Sequence, residues 1–180
     1  MNLRTCLTPL ALALTAAGCS SPQAAAPDGQ SGPSDRTSVA SPAPSSTPPP
    51  MGLATVQACA LLTEPEATSL GLPGQGKAEK VVGLRRCDWA KPQGVVSTSI
   101  NEKGGIEQLN LADASSVTDV MIGRHRAKRV VEGSGPGYCD VFFAIGDTAN
   151  VSVSALYLKD TPRACATADR AAAFVESKLP

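Results

Sequence analysis

Cys139-Asp140-Val141-Phe142-Phe143-Ala144-Ile145, then Gly146-Asp147-Thr148-Ala149-Asn150, then Val151-Ser152-Val153-Ser154-Ala155-Leu156-Tyr157-Leu158, is the stretch that decides the fold. In its first part the odd positions Cys139, Val141, Phe143 and Ile145 share one face, as a half-buried strand requires. The five residues after it are turn formers, and the next eight alternate again, so the whole reads as a hairpin. Just beyond, Thr161 caps a helix with Pro162 at its first position, running to about Lys178. Cys165, Ala168, Ala172 and Val175 line one stripe of it, which suits a helix lying on the apolar face of the hairpin.

Working back toward the N-terminus, the 133–137 run Gly-Ser-Gly-Pro-Gly is a turn, and residues 120–131 read as a strand bearing charges. Gly104-Gly105 opens a short helix through Leu111. Residues 95–101 make a good strand, and 77–84 and 86–90 make weaker ones. Thr63-Glu64-Pro65-Glu66 is a capping box with Pro in the first turn of a short helix that Gly71 ends. A further short apolar helix spans 56–62. Helices at both ends of consecutive hairpins predict an α+β domain, with an antiparallel sheet of about five to six strands packed by N- and C-terminal helices.

The six cysteines divide by position. Cys6 lies in a leader with Arg4 as its positive charge and an apolar run over 7–17. Ala16-Ala17-Gly18 then lead into Cys19, a lipobox-like ending in which Ala16 replaces the usual Leu. The apolar run is too short for a spanning helix, which needs ~20 residues, and Pro9 interrupts it. Residues 1–18 are therefore expected to be a lipoprotein signal peptide and Cys19 the acylated residue, anchoring the chain to the extracytoplasmic side of a membrane.

Cys59, Cys87, Cys139 and Cys165 remain, an even number in an oxidising context, with no C-x-x-C spacing for zinc or redox work. They permit three pairings. Cys139 on the apolar parity of its strand and Cys165 on the apolar stripe of the last helix favour Cys139–Cys165, leaving Cys59–Cys87; the crossed pairing stays open. Each bridge closes a loop worth roughly 3–4 kcal/mol in the chain-entropy model.

Residues 19–54 hold eight of the fifteen prolines and no aromatic residue, so they read as a disordered stalk with a span of about 30–35 Å. Residues 55–180 form one domain. Sixteen basic residues balance sixteen acidic ones, so no strong field draws the chain to nucleic acid.

Cys59-Ala60-Leu61-Leu62-Thr63 with Glu66 and Leu70-Gly71, then Cys87-Asp88-Trp89, Gly123-Arg124 with Ala127, Cys139-Asp140-Val141 and the Cys165 helix ending in Leu179-Pro180 make a set. It resembles a domain-of-unknown-function family, numbered three-five-five-eight, of small actinobacterial secreted lipoproteins. The resemblance implies a lipoprotein signal, a stalk and a disulfide-bearing α+β domain, and it carries over no catalytic residues.

Candidate sites are few. His125 is the single histidine and sits between Arg124 and Arg126, whose charges oppose the imidazolium a general base must become, so it reads as an exposed strand residue. The acidic residues are scattered, without a calcium-loop pattern. The glycine turn at 133–137 lacks the lysine and following helix of a phosphate loop. Trp89 is expected to pack on the disulfide of Cys87. Arg124, Arg126, Lys128 and Arg129 form the densest charge cluster, a candidate partner-binding basic patch or a charged edge strand resisting aggregation. No metal and no cofactor is implied. The expected function is that of a non-enzymatic binding module of the cell envelope, whose partner is a cell-wall polymer, a lipid or an envelope protein. The alternative is a carrier of small molecules or lipids with a cavity between sheet and helices.

Overall fold

In the computed structural model, residues 52–180 are described; the expected signal peptide, Cys19 and most of the expected stalk lie outside them. Seven antiparallel strands form one sheet: β1 (Lys77–Val81), β2 (Leu84–Lys91), β3 (Gly94–Asn101), β4 (Ser116–Ile122), β5 (His125–Val131), β6 (Tyr138–Ile145) and β7 (Ala149–Tyr157). Their spatial order is β1-β2-β3-β7-β6-β5-β4. Two meanders, β1–β3 and β4–β7, thus join through the β3–β7 pair at the centre. The quoted hairpin forms as β6 and β7, in register from Tyr138 opposite Leu156 to Ile145 opposite Ala149.

The strand count exceeds the expected five to six because the run at 120–131 is two strands. Gly123, at φ +54°, turns the chain between β4 and β5. A left-handed residue is cheap only for glycine, and a lone glycine within a charged strand-like run is an easily missed turn.

One face of the sheet carries the core. Val141, Phe143, Val151 and Val153 are buried there beneath α2 (Thr161–Glu176), which packs on β6 and β7, and Val96 and Ile100 of β3 are buried on the same face. The N-terminal segment covers the β2–β3 end of the same face. The expected helix at 56–62 is a 3-10 helix, Ala58–Leu61, followed by α1 (Glu64–Ser69), where Thr63 N donates to Glu66 Oε2 at 2.8 Å as the capping box predicts. Leu53, placed in the stalk by composition, is buried. The Arg85 guanidinium donates to the carbonyls of Leu53, Ala54 and Val56 and pairs with Glu102, so the fold begins before residue 55.

Both disulfides staple these covers to the sheet. Cys59–Cys87 ties the 3-10 helix to β2, and Cys139–Cys165 ties β6 to α2. Lys178 closes the covers against each other, pairing with Glu66 at 2.8 Å and donating to Leu61 O. One cap differs from expectation. Asp160 caps α2 by accepting from Arg163 N, while the Thr161 hydroxyl donates to Glu132 and accepts from Gly137 N.

Because β3 is central and β4 lies at the far edge, the chain between them must cross three strands. Residues 102–115 do so over the face opposite α2. Gly104 O accepts from Asn150 Nδ2, Ile106 is buried, and Ser115 N donates to Val131 O. The expected helix at 104–111 contracts to one 3-10 turn, Ile106–Gln108, because this segment runs across the sheet rather than standing beside it. Among the described residues no helix is long and apolar enough to cross a membrane.

Candidate binding face

Strand parity places alternate residues on the face that α2 leaves uncovered. Two cross-strand rows run through its centre. The first is Asp88–Ser97–Ser154–Asp140, and the second is Arg86–Ser99–Ser152–Phe142. Residues directly opposite in an antiparallel pair stand ~5 Å apart, so the seven polar side chains of these rows make a continuous array, with Phe142 and the neighbouring Tyr138 as half-buried rings at its β6 border.

The array is internally ordered. Arg86 Nε donates to Asp88 Oδ1 at 2.6 Å and Nη2 donates to Ser97 Oγ at 2.8 Å. The Ser154 hydroxyl donates to Asp140. Arg86 keeps about a third of its side chain exposed, so its guanidinium has donors left for a ligand. Asp140 is only 3% exposed, and that burial pushes its carboxyl above the usual range; the Ser154 hydrogen bond and the Arg86 charge oppose the rise without cancelling it.

A raised acid works against the fold as it ionises. The contribution is fully favourable below the unfolded value and is lost as pH rises through the folded one. Asp140→Asn keeps an oxygen for Ser154 to donate to and removes the charge. The variant is expected to melt above the wild type at pH 7 and to equal or fall below it near pH 3, as read by thermal denaturation across pH.

Toward β4, the uncovered face ends in an open cleft of about 500 Å³ lined by Ile106, Glu107, Asp119, Met121, Arg126 and Lys128. Its charges pair off. Lys128 meets Asp119 at 2.8 Å and Glu107 at 3.1 Å, and Arg126 meets Glu107 at 2.9 Å. The Lys128 hydrogen bond holds the Asp119 carboxyl below its usual range, and the same bond, with Glu107, raises Lys128.

The four cations of the expected basic patch therefore do not share one surface. Arg126 and Lys128 face this cleft. Arg129 has the opposite parity and pairs with Asp169 of α2 at 2.9 and 3.2 Å. Arg124 sits in the β4–β5 turn and donates to Leu179 O. Each of the four already has a partner.

His125 corrects a second expectation. It is buried, with Nδ1 2.9 Å from Glu176 Oε1 and Nε2 3.1 Å from Pro180 O, edge-on to Phe143. The Gly123 turn carries it against the end of α2, so it helps latch the C-terminal residues to the sheet. Trp89 is core, 1% exposed, on the same side of β2 as Cys87. Among the described residues no group of three or more His, Cys, Asp or Glu is placed to hold a metal.

Arg86, Asp88, Asp140 and the four serines were not singled out from sequence. A signal existed: Ser97, Ser99, Ser152 and Ser154 recur every second residue in otherwise apolar strands, which marks one face as polar.

A family model described as "Protein of unknown function (DUF3558)" matches residues 14–178. No curated protein and no solved structure matches the chain.

Proposed function

The chain belongs to the DUF3558 family, and from that membership we propose that it is a lipid-anchored, extracytoplasmic binding module of the cell envelope, non-enzymatic, that takes a polar envelope polymer on the uncovered sheet face. The address rests on Cys19 after Ala16-Ala17-Gly18 and on a leader too short to span a bilayer. Two disulfides support an oxidising compartment.

The observation that carries the binding reading is the array itself. Four serine hydroxyls, two carboxyls and a guanidinium lie side by side next to two aromatic rings, on the face opposite α2 and beside the 102–115 crossover; Ser97, Asp140 and Ser152 are buried within the array, and Arg86, Asp88, Ser99 and Ser154 are its half-buried members. Hydroxyl-rich polymer chains offer the matching chemistry: donors and acceptors for the polar groups, and C–H edges for Phe142 and Tyr138. A lipid carrier needs an enclosed apolar cavity. The cleft beside the array is instead open and lined by four charged side chains, which favours the polymer reading.

Co-sedimentation of the full chain carrying Cys19→Ser with purified insoluble peptidoglycan tests this. Saturable retention is expected, with Kd of about 10–100 µM. Arg86→Ala and Phe142→Ala should each weaken it about tenfold, near 1.4 kcal/mol, while Arg170→Ala on α2 leaves it unchanged. No retention, or equal retention of all variants, contradicts the proposal.

A further inference from the structure

The two edges of the sheet are built differently. β1 carries Lys77 and Lys80, charged and exposed, and the half-buried Glu79, the ordinary protection of an edge strand against pairing with another chain. β4, Ser116-Val117-Thr118-Asp119-Val120-Met121-Ile122, has a single charge, no lysine and no proline. Its one carboxylate, Asp119, is already held by Lys128 at 2.8 Å. Val117 and Met121 are 44% and 62% exposed, and among the described residues no strand pairs with the outer edge of β4.

We propose that β4 is the contact strand of a twofold dimer, pairing antiparallel with β4 of a second copy to continue the sheet to fourteen strands. The sequence of β4 is self-complementary in the way an isologous contact requires. With Asp119 on the axis, Val117 of each copy stands opposite Met121 of the other on the same face. Four exposed apolar side chains thereby cover one another. On the axis the two Asp119 carboxylates approach, and each brings the Lys128 that neutralises it, so the central row holds two acids and two bases. An unrelated acidic or basic strand would not meet that balance.

A twofold axis between the two β4 strands, perpendicular to the sheet, leaves both faces opposite α2 on the same side. The dimer then presents two polar arrays to one partner surface. This assembly stands on the edge chemistry of β4 alone and does not need the binding reading above. One seven-residue strand pair is a small interface, below ~1,200 Å², so the dimer is weak and reversible.

Sedimentation velocity of the full chain carrying Cys19→Ser, from about 1 to 500 µM, is expected to show a monomer–dimer equilibrium with Kd of about 10–100 µM. Val117→Lys/Met121→Lys should sediment as a monomer throughout, and Glu79→Lys on β1 should dimerise as the wild type does. A wild type that stays monomeric at the highest concentration, or a double variant that dimerises equally, overturns the proposal. Hydrogen exchange on the unmutated β4 supplies a reading that does not depend on how the double variant folds. Exchange of β4 amides should slow with rising concentration while β1 amides keep one rate. Concentration-independent exchange in β4 also overturns it.

Discussion

Cys139→Ser/Cys165→Ser is expected to lower the thermal midpoint by about 10–15 °C, from the loss of about 3.5 kcal/mol of stability. The bridge closes a loop of 26 residues, and releasing it returns that loop's closure entropy to the unfolded chain. Position adds to the effect. Both sulfurs lie between β6 and α2, at the centre of the covered face, so two serine hydroxyls would be left in an apolar layer whose neighbours are Val141, Ala155 and Ala168. A small domain has only about 5–15 kcal/mol in total, so the loss is a large fraction of it. The Cys59–Cys87 bridge closes a loop of 28 residues, and Cys59→Ser/Cys87→Ser is expected to cost a similar amount. Non-reducing calorimetry of each pair reads the difference. A shift under about 3 °C would show that α2 docks by packing alone.

Trp89→Ala is expected to cost about 3–5 kcal/mol, while Trp89→Phe costs under about 1.5 kcal/mol. The ring is nearly fully buried in β2 opposite Val96, and Gly76 lies so close above it that a side chain there would strike both the ring and Cys87 Sγ. Truncation therefore opens a cavity that the disulfide prevents from collapsing. The indole contributes through its ring rather than its polar edge, because Nε1–H has no hydrogen-bond partner among the described residues. Phenylalanine removes an unsatisfied buried donor and partly offsets the lost volume. Urea denaturation of the two variants separates the contributions. Equal losses in both would mean that the N–H is satisfied and matters.

What sequence reveals here follows the range of the interaction. The β6–β7 hairpin, α2 and the Thr63–Glu66 capping box are local, and strand parity, helix stripe and cap spacing display them directly. The disulfide pairing followed from the same local facts: Cys139 and Cys165 each lie on the apolar side of an adjacent element. Gly123 was obscured because the strand-like residues Val120-Met121-Ile122 before it and Arg124 to Val131 after it read as one run, and a hairpin turn needs only one residue of positive φ. His125 was misjudged because its burial depends on the end of α2, some 50 residues away in the chain.

The basic cluster offers the sharper lesson. Alternation in a strand already separates Arg126 and Lys128 from Arg129, so a shared patch was never available to them once residues 125–131 were read as β structure. Their neutralisation was not legible, since Glu107, Asp119 and Asp169 reach them from three other elements. The serine rows became visible only when the strand order brought β3 beside β7. Nothing local places Ser97 opposite Ser154.

The central claim is that the uncovered face, and not the helix-covered one, meets the partner. Amide and side-chain NMR of the Cys19→Ser chain titrated with soluble peptidoglycan fragments tests it most directly. Shift changes concentrated at Arg86, Ser97, Ser99, Asp140, Phe142, Ser152 and Ser154 are the predicted result. Changes centred on α2, or none at millimolar fragment, would contradict it.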